Sequence, residues 1–104
     1  MAKFKNEQGI SLIEFTQNIQ DFCPLGNDWY TNQITVSMIP DSIIPDYCDI
    51  DDFTRGLGGK ELIIEDVVDA IFKYIEEEYA PKDLSVSSYV NDAKHMPVTV
   101  VKTK

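Results

Sequence analysis

Alternation at period two and stripes at period 3.6 divide this chain into six elements. Residues 33–39 send Ile34, Val36 and Met38 to one side and Gln33, Thr35 and Ser37 to the other, as a half-buried strand does, and Pro40-Asp41 closes it. Upstream, Ile10-Ser11-Leu12-Ile13-Glu14-Phe15 is apolar enough for a first strand with imperfect alternation. Residues 17–28 mix polar side chains with Pro24 and Gly26, which predicts a connecting loop and places Cys23 on a turn. Residues 1–9, polar through most of their length, are expected to be a flexible N-terminus, and residues 10–104 a single domain.

From Ser42 the period changes. Pro45 suits a helix start, Asp49, Asp51 and Asp52 favour a first turn, and Ile50, Phe53 and Leu57 recur at helical spacing, predicting a short helix over about 49–57. Gly56, Gly58 and Gly59 then break it. This glycine-rich stretch has neither the Gly-Lys-Ser/Thr ending of a phosphate loop nor a preceding strand, so it reads as a turn. The strongest pattern follows: Ile64, Val67, Val68, Ile71, Ile75 and Tyr79 form one stripe while Asp66, Asp69, Lys73, Glu76 and Glu77 face away, an amphipathic helix that Pro81 stops. Leu84, Val86, Ser88 and Val90 alternate with Ser85, Ser87 and Tyr89 in a third strand; Asn91-Asp92-Ala93 turns the chain into a fourth near residues 95–102.

The order ββααββ, with short connections within each strand pair, predicts an α+β fold: a four-stranded, mostly antiparallel sheet with both helices on one face. Such a sheet leaves a free face, here Thr35, Ser37, Ser85, Ser87 and Thr99, and two open edges. Burial in an oligomer, as a closed multi-subunit barrel, is one way to cover them.

Composition narrows the functional classes. With 43% hydrophobic residues over 104 positions the chain is globular and too short for a second domain. A formal net charge of -9 argues against general nucleic-acid binding. The absence of a run of about 20 apolar residues argues against a membrane span, and the N-terminal sequence lacks a signal-peptide core, so a cytoplasmic location is expected. Two cysteines 25 positions apart and a single histidine give little support to a metal site, and a disulfide is not expected in the cytosol.

Candidate chemistry concentrates at Cys23, on the turn before the alternating strand, and at Glu65, in the first turn of the long helix. A thiolate is a nucleophile, and one carboxylate accepts two parallel N–H bonds from a guanidine-like ring edge. Each also has a structural explanation: a cysteine before proline packs well, and the helix dipole favours a glutamate at that position without any ligand. Trp29 and Tyr30 could stack on a flat ring or cover the end of the sheet. His95 suits proton transfer near neutrality, or is a partly exposed structural residue at a strand start. Cys48 is a reserve nucleophile, with Asp46 and Asp49 nearby standing against a thiolate.

Over about residues 15–101, Cys23-Pro24, the strand ending Met38-Ile39-Pro40-Asp41, and Glu65-Asp66 opening the long helix resemble the tunnelling-fold superfamily, within it the 7-cyano-7-deazaguanine reductases of queuosine biosynthesis. The resemblance implies an oligomeric barrel that binds a deazapurine or pterin-like ring at subunit interfaces. It implies that Cys23 adds to the nitrile carbon to form a thioimide, and that Glu65 pairs with the amino-pyrimidinone edge. The family's acid after Cys-Pro falls near Tyr30, so Asp28 serves only if the loop shifts, and the histidine before the glutamate is replaced by Ile64. The stretch that binds NADPH in the reductases is replaced by Pro45-Asp46-Tyr47-Cys48-Asp49-Ile50-Asp51-Asp52-Phe53, whose acids oppose cofactor phosphates. In length and in lacking that stretch the chain is similar to the archaeal amidinotransferase relatives that make archaeosine from the same nitrile and ammonia, so no cofactor is expected. The alternatives are a non-catalytic binding or assembly subunit of the same fold and a pterin-processing enzyme, which one histidine per chain does not equip with the usual metal cluster.

Overall fold

The alternation that begins near Ile13 runs through the region expected to be a loop. A computed structural model, which describes residues 3–104, has β2 at Ile13–Cys23 and β3 at Asp28–Ile39, so Cys23 is the last residue of a strand and not part of the turn. The pattern is masked because two inward positions of β2 are polar. Gln17 donates to the carbonyl of Asp51, and Asp21 accepts from Asn32 and from the Lys60 amide. With these bonds made, a polar side chain on the buried face does not interrupt a strand.

The full order is β1 (Phe4–Lys5), β2, β3, β4 (Ile43–Ile44), α1 (Tyr47–Leu57), α2 (Ile64–Tyr79), β5 (Asp83–Val90) and β6 (Val98–Thr103). The main sheet is antiparallel throughout, in the order β2-β3-β5-β6. β1 and β4 form a separate antiparallel pair, with Phe4 opposite Ile44. Within the N-terminal segment expected to be flexible, β1 is thus paired, and Asn6 bonds Ser42, Asp41 and Ile10; Met1 and Ala2 lie outside the described residues.

Both helices cover one face of the sheet. α2 packs across β5 and β6, and α1 lies on β2. Ile34, Val36 and Met38 of β3 and Leu84 and Val86 of β5 meet Val67, Val68, Ile71 and Ile75 of α2 in a core where each is at most 2% exposed. Asp46 caps α1, its carboxylate accepting from the amides of Cys48 and Asp49, so the helix starts two residues before the sequence pattern places it. α2 ends on Ala80 in the left-handed region, φ 41°, with Pro81 beyond. The other sheet face carries Thr35, Ser37, Ser85, Ser87 and Thr99, as the alternation predicts, and among the described residues neither helix packs there. Among the described residues no helix is long and apolar enough to cross a membrane.

Candidate active site

The site grows from the end of the β2–β3 hairpin. Antiparallel register sets Cys23 directly opposite Asp28, and neighbours across a ladder project to the same face. The four residues between them, Pro24-Leu25-Gly26-Asn27, close the turn, with the Asn27 amide donating to the Cys23 carbonyl and Asn27 taking φ 53°. The Gly26 amide donates to Cys23 Sγ at 3.3 Å, so a backbone dipole points its positive end at the sulfur. Asp28 thus faces Cys23 across the hairpin, while Tyr30 lies one step further along the same face.

One step inward on the same face, Asp21 stands opposite Tyr30. Tyr30 is 3% exposed, and its hydroxyl donates to the Leu62 carbonyl at 2.6 Å. Burial pushes its phenol up to about 12. Asp21 is fully buried and its carboxyl is raised by that burial, against the lowering effect of the Lys60 amide and Asn32. Trp29, between Asp28 and Tyr30 at the rim, is half-exposed and edge-on to Phe22 with ring centroids 5.5 Å apart.

The second wall is the start of α2. Residues 59–62 run along the outer edge of β2, with a parallel bridge between Phe22 and Glu61, and deliver Ile63, Ile64 and Glu65 beside the hairpin. Ile63 caps the helix without a side-chain bond, so the first-turn amides and their positive partial charge are not masked by a capping side chain. The third wall is the β5–β6 connection. Its Asp92 accepts from the Thr31 amide at 2.9 Å, which holds the Asp92 carboxyl below the usual carboxylate range, and Lys94 stands 3.7 Å from Asp28. His95 Nδ1 lies 2.7 Å from the Met96 carbonyl. A carbonyl only accepts, so Nδ1 carries the proton and Nε2 of the neutral ring is left as an acceptor.

These walls enclose a pocket of about 390 Å³, a volume typical of small-molecule sites. Cys23, Asp28, Trp29, Tyr30, Glu65 and His95, six of the seven candidates singled out from the sequence, line it together with apolar side chains such as Ile63, Ile64 and Met96. The sequence analysis did not place Lys94 or the 59–62 connector, of which it read only Gly59 as part of a turn, at this site; the adjacency of Lys94 to His95 was the one available hint. Cys48 is elsewhere, exposed beside Tyr47, Asp51 and Asp52 on a separate hollow of about 400 Å³, so none of the acids of α1 faces the Cys23 pocket. Among the described residues no three His, Cys, Asp or Glu side chains converge as a metal site would require.

No family model matches the chain, and no curated protein matches it in sequence. Its shape is matched by the crystal structure of the archaeosine synthase QueF-Like in the apo form, with a TM-score of 0.81 over 91% of this chain and 94% of that one, at 15% identity. The chain has the tunnelling fold. At this identity the likeness concerns architecture, and the chemistry of the pocket rests on its own residues.

Proposed function

We propose that this protein is a deazapurine-binding enzyme that acts on a nitrile such as 7-cyano-7-deazaguanine, through a thioimide on Cys23 and without NADPH. The observation that carries the proposal is the convergence of Cys23, Asp28, Glu65 and His95 on one pocket. The sulfur of Cys23 forms a bond to the nitrile carbon, one π pair of the C≡N bond moves to nitrogen, and that nitrogen receives the thiol proton by way of Asp28 or His95. Glu65 accepts the paired N–H groups of the ring's amino-pyrimidinone edge. Ammonia then adds to the thioimide carbon and the thiolate leaves, which gives an amidine with no hydride source. The structural neighbour is an archaeosine synthase, which fits this nitrogen-transfer branch.

Intact-mass spectrometry after incubation with 7-cyano-7-deazaguanine tests the proposal. A single adduct is expected in the wild type and in Cys48→Ala, and none in Cys23→Ala. No adduct in the wild type at saturating nitrile overturns it and leaves the non-catalytic subunit. Within the same proposal the protein is a homo-oligomer that covers the open sheet face; a monomeric mass in sedimentation at micromolar concentration contradicts that part.

A further inference from the structure

Asp21 has no part in the chemistry proposed above, yet it is a carboxylate at 0% exposure in a position where an apolar side chain would pack at no electrostatic cost. What it does instead is accept two hydrogen bonds from different parts of the chain. Its Oδ1 takes the Lys60 amide at 3.2 Å, and its Oδ2 takes Asn32 Nδ2 at 3.1 Å. Asn32 Oδ1 in turn accepts from Ser88 Oγ at 2.8 Å, so the bond to Lys60 is anchored through β3 to β5 at the centre of the sheet.

The segment held this way leads directly into the candidate site. Gly59 donates to the Gln20 carbonyl at 2.8 Å, Phe22 to Lys60 at 2.9 Å and Leu62 to Phe22 at 3.2 Å, and Tyr30 adds its hydroxyl to Leu62. Two residues beyond Asp21 along β2 is Cys23, and five beyond Lys60 is Glu65. The Asp21–Lys60 bond therefore lies between the strand that carries the nucleophile and the helix start that carries the ring-holding carboxylate.

We propose that Asp21 is a positioning residue: it fixes the 59–62 connector against the end of β2 and so sets where Glu65 stands relative to Cys23. This rests on Glu65 as the ring-holding group. Asp21→Asn keeps the shape of the side chain but turns one of its two acceptors into a donor, so the Lys60 and Asn32 bonds cannot both persist unless the Asn32 amide turns over. Asp21→Ser, which withdraws both carboxylate oxygens without adding bulk, is the second variant and removes the Lys60 tie whichever way Asn32 turns.

Two measurements decide it. In a Cys23→Ala background, where binding is reversible, Asp21→Asn is expected to weaken 7-cyano-7-deazaguanine about tenfold, one lost interaction of ordinary size. Combined with Glu65→Gln it is expected to weaken binding no further than Glu65→Gln alone, because it acts through that residue. Losses that multiply overturn the proposal, since a general structural defect would produce them. The second measurement needs no ligand: amide hydrogen exchange over residues 59–66 should quicken about tenfold in Asp21→Asn while Val36 and Val86 stay protected. Unchanged exchange there in both Asp21→Asn and Asp21→Ser overturns the proposal. If the Cys23→Ala protein binds no ring at all, the assigned function falls, and exchange alone still decides whether Asp21 holds the connector.

Discussion

Tyr30→Phe separates the hydroxyl of the buried tyrosine from its ring. The substitution keeps the aromatic wall and removes the donor to Leu62, a bond of 2.6 Å on a residue 3% exposed. A net hydrogen bond is worth about 0.5–1.5 kcal/mol, and an acceptor left unpaired costs about 1–3 kcal/mol, so a loss of about 1.5 kcal/mol is expected at pH 8. For a chain of this length that lowers Tm by about 6–12 °C. The same hydroxyl makes the difference depend on pH. Burial raises its ionisation from 10.0 to about 12, so between those values the folded state holds a proton that the unfolded state has released, and the wild type loses stability as pH climbs. The full effect at pH 12 is about 2.3 kcal/mol; screening by water in the pocket reduces it to about half that at the least. Phenylalanine has nothing to ionise, so the gap between the two proteins should shrink by about 1–2 kcal/mol between pH 8 and pH 12. Tyr74 and Tyr79, both also raised, are present in both proteins and cancel. Urea unfolding at a series of pH values measures the gap. A gap that stays constant with pH would refute the burial argument, and no gap at pH 8 would refute the tie to Leu62.

Two further predictions concern stability. Ala80 ends α2 at φ 41°, a conformation that costs an L-residue about 1–2 kcal/mol and glycine little, so after the entropy of glycine Ala80→Gly should gain about 0.5–1 kcal/mol in urea unfolding; a loss would mean that the terminus is not strained. The Asp92 carboxyl is lowered by the Thr31 amide, so its contribution is present above its unfolded value of 3.8 and fades as pH falls through its lower folded value. Asp92→Asn should therefore be less stable than the wild type from pH 5 to pH 8, with the difference shrinking in acid; a difference that grows in acid contradicts the assignment.

α2 was legible because its stripe is nearly unbroken: Val67, Val68, Ile71, Ile75 and Tyr79 are all buried, and Ile64 alone of the six is half-buried, at the pocket. β5 and the second half of β3 were legible for the same reason at period two. The pattern failed where the buried face turns polar, at Gln17 and Asp21 in β2 and at Asn32 in β3. Those side chains look like loop residues until their partners are known, and the partners of Gln17 and Asp21 include backbone groups 34 and 39 positions away that no spacing rule encodes. The candidate site shows the same division. Cys23, Asp28, Glu65 and His95 stood out by residue type, whereas the connector that brings Glu65 to Cys23 is held mainly by backbone bonds and left no trace in composition. Local patterning was inconsistent with the fold at the end of the hairpin, which is where a functional constraint on the sequence is expected to show.

The three walls of the pocket are not held alike, and the difference bears on how a ring would be taken up. Between β2 and the start of α2 run the Gly59, Phe22 and Leu62 backbone bonds, the Lys60–Asp21 bond and the Tyr30–Leu62 bond, several of them on buried or half-buried groups. The 91–97 connection is tied through exposed side chains: Asp92 to the Thr31 amide, Asn91 to Gln33 at 3.2 Å, and Lys94 to Asp28 at 3.7 Å, with the lysine 71% exposed. Water competes for each of those contacts and salt weakens the last. Local opening is therefore cheapest at the third wall. Such an opening would carry His95 and Lys94 away and leave Cys23 and Glu65 in place. On the proposed chemistry, the nucleophile, Asp28 and the ring-holding carboxylate form a fixed frame, and His95, the other group suited to proton transfer, rides on the wall that opens. Loss of the Asp92 tether should then slow the proton-dependent step more than it weakens the ring, while loss of the Asp21 tie should do the reverse.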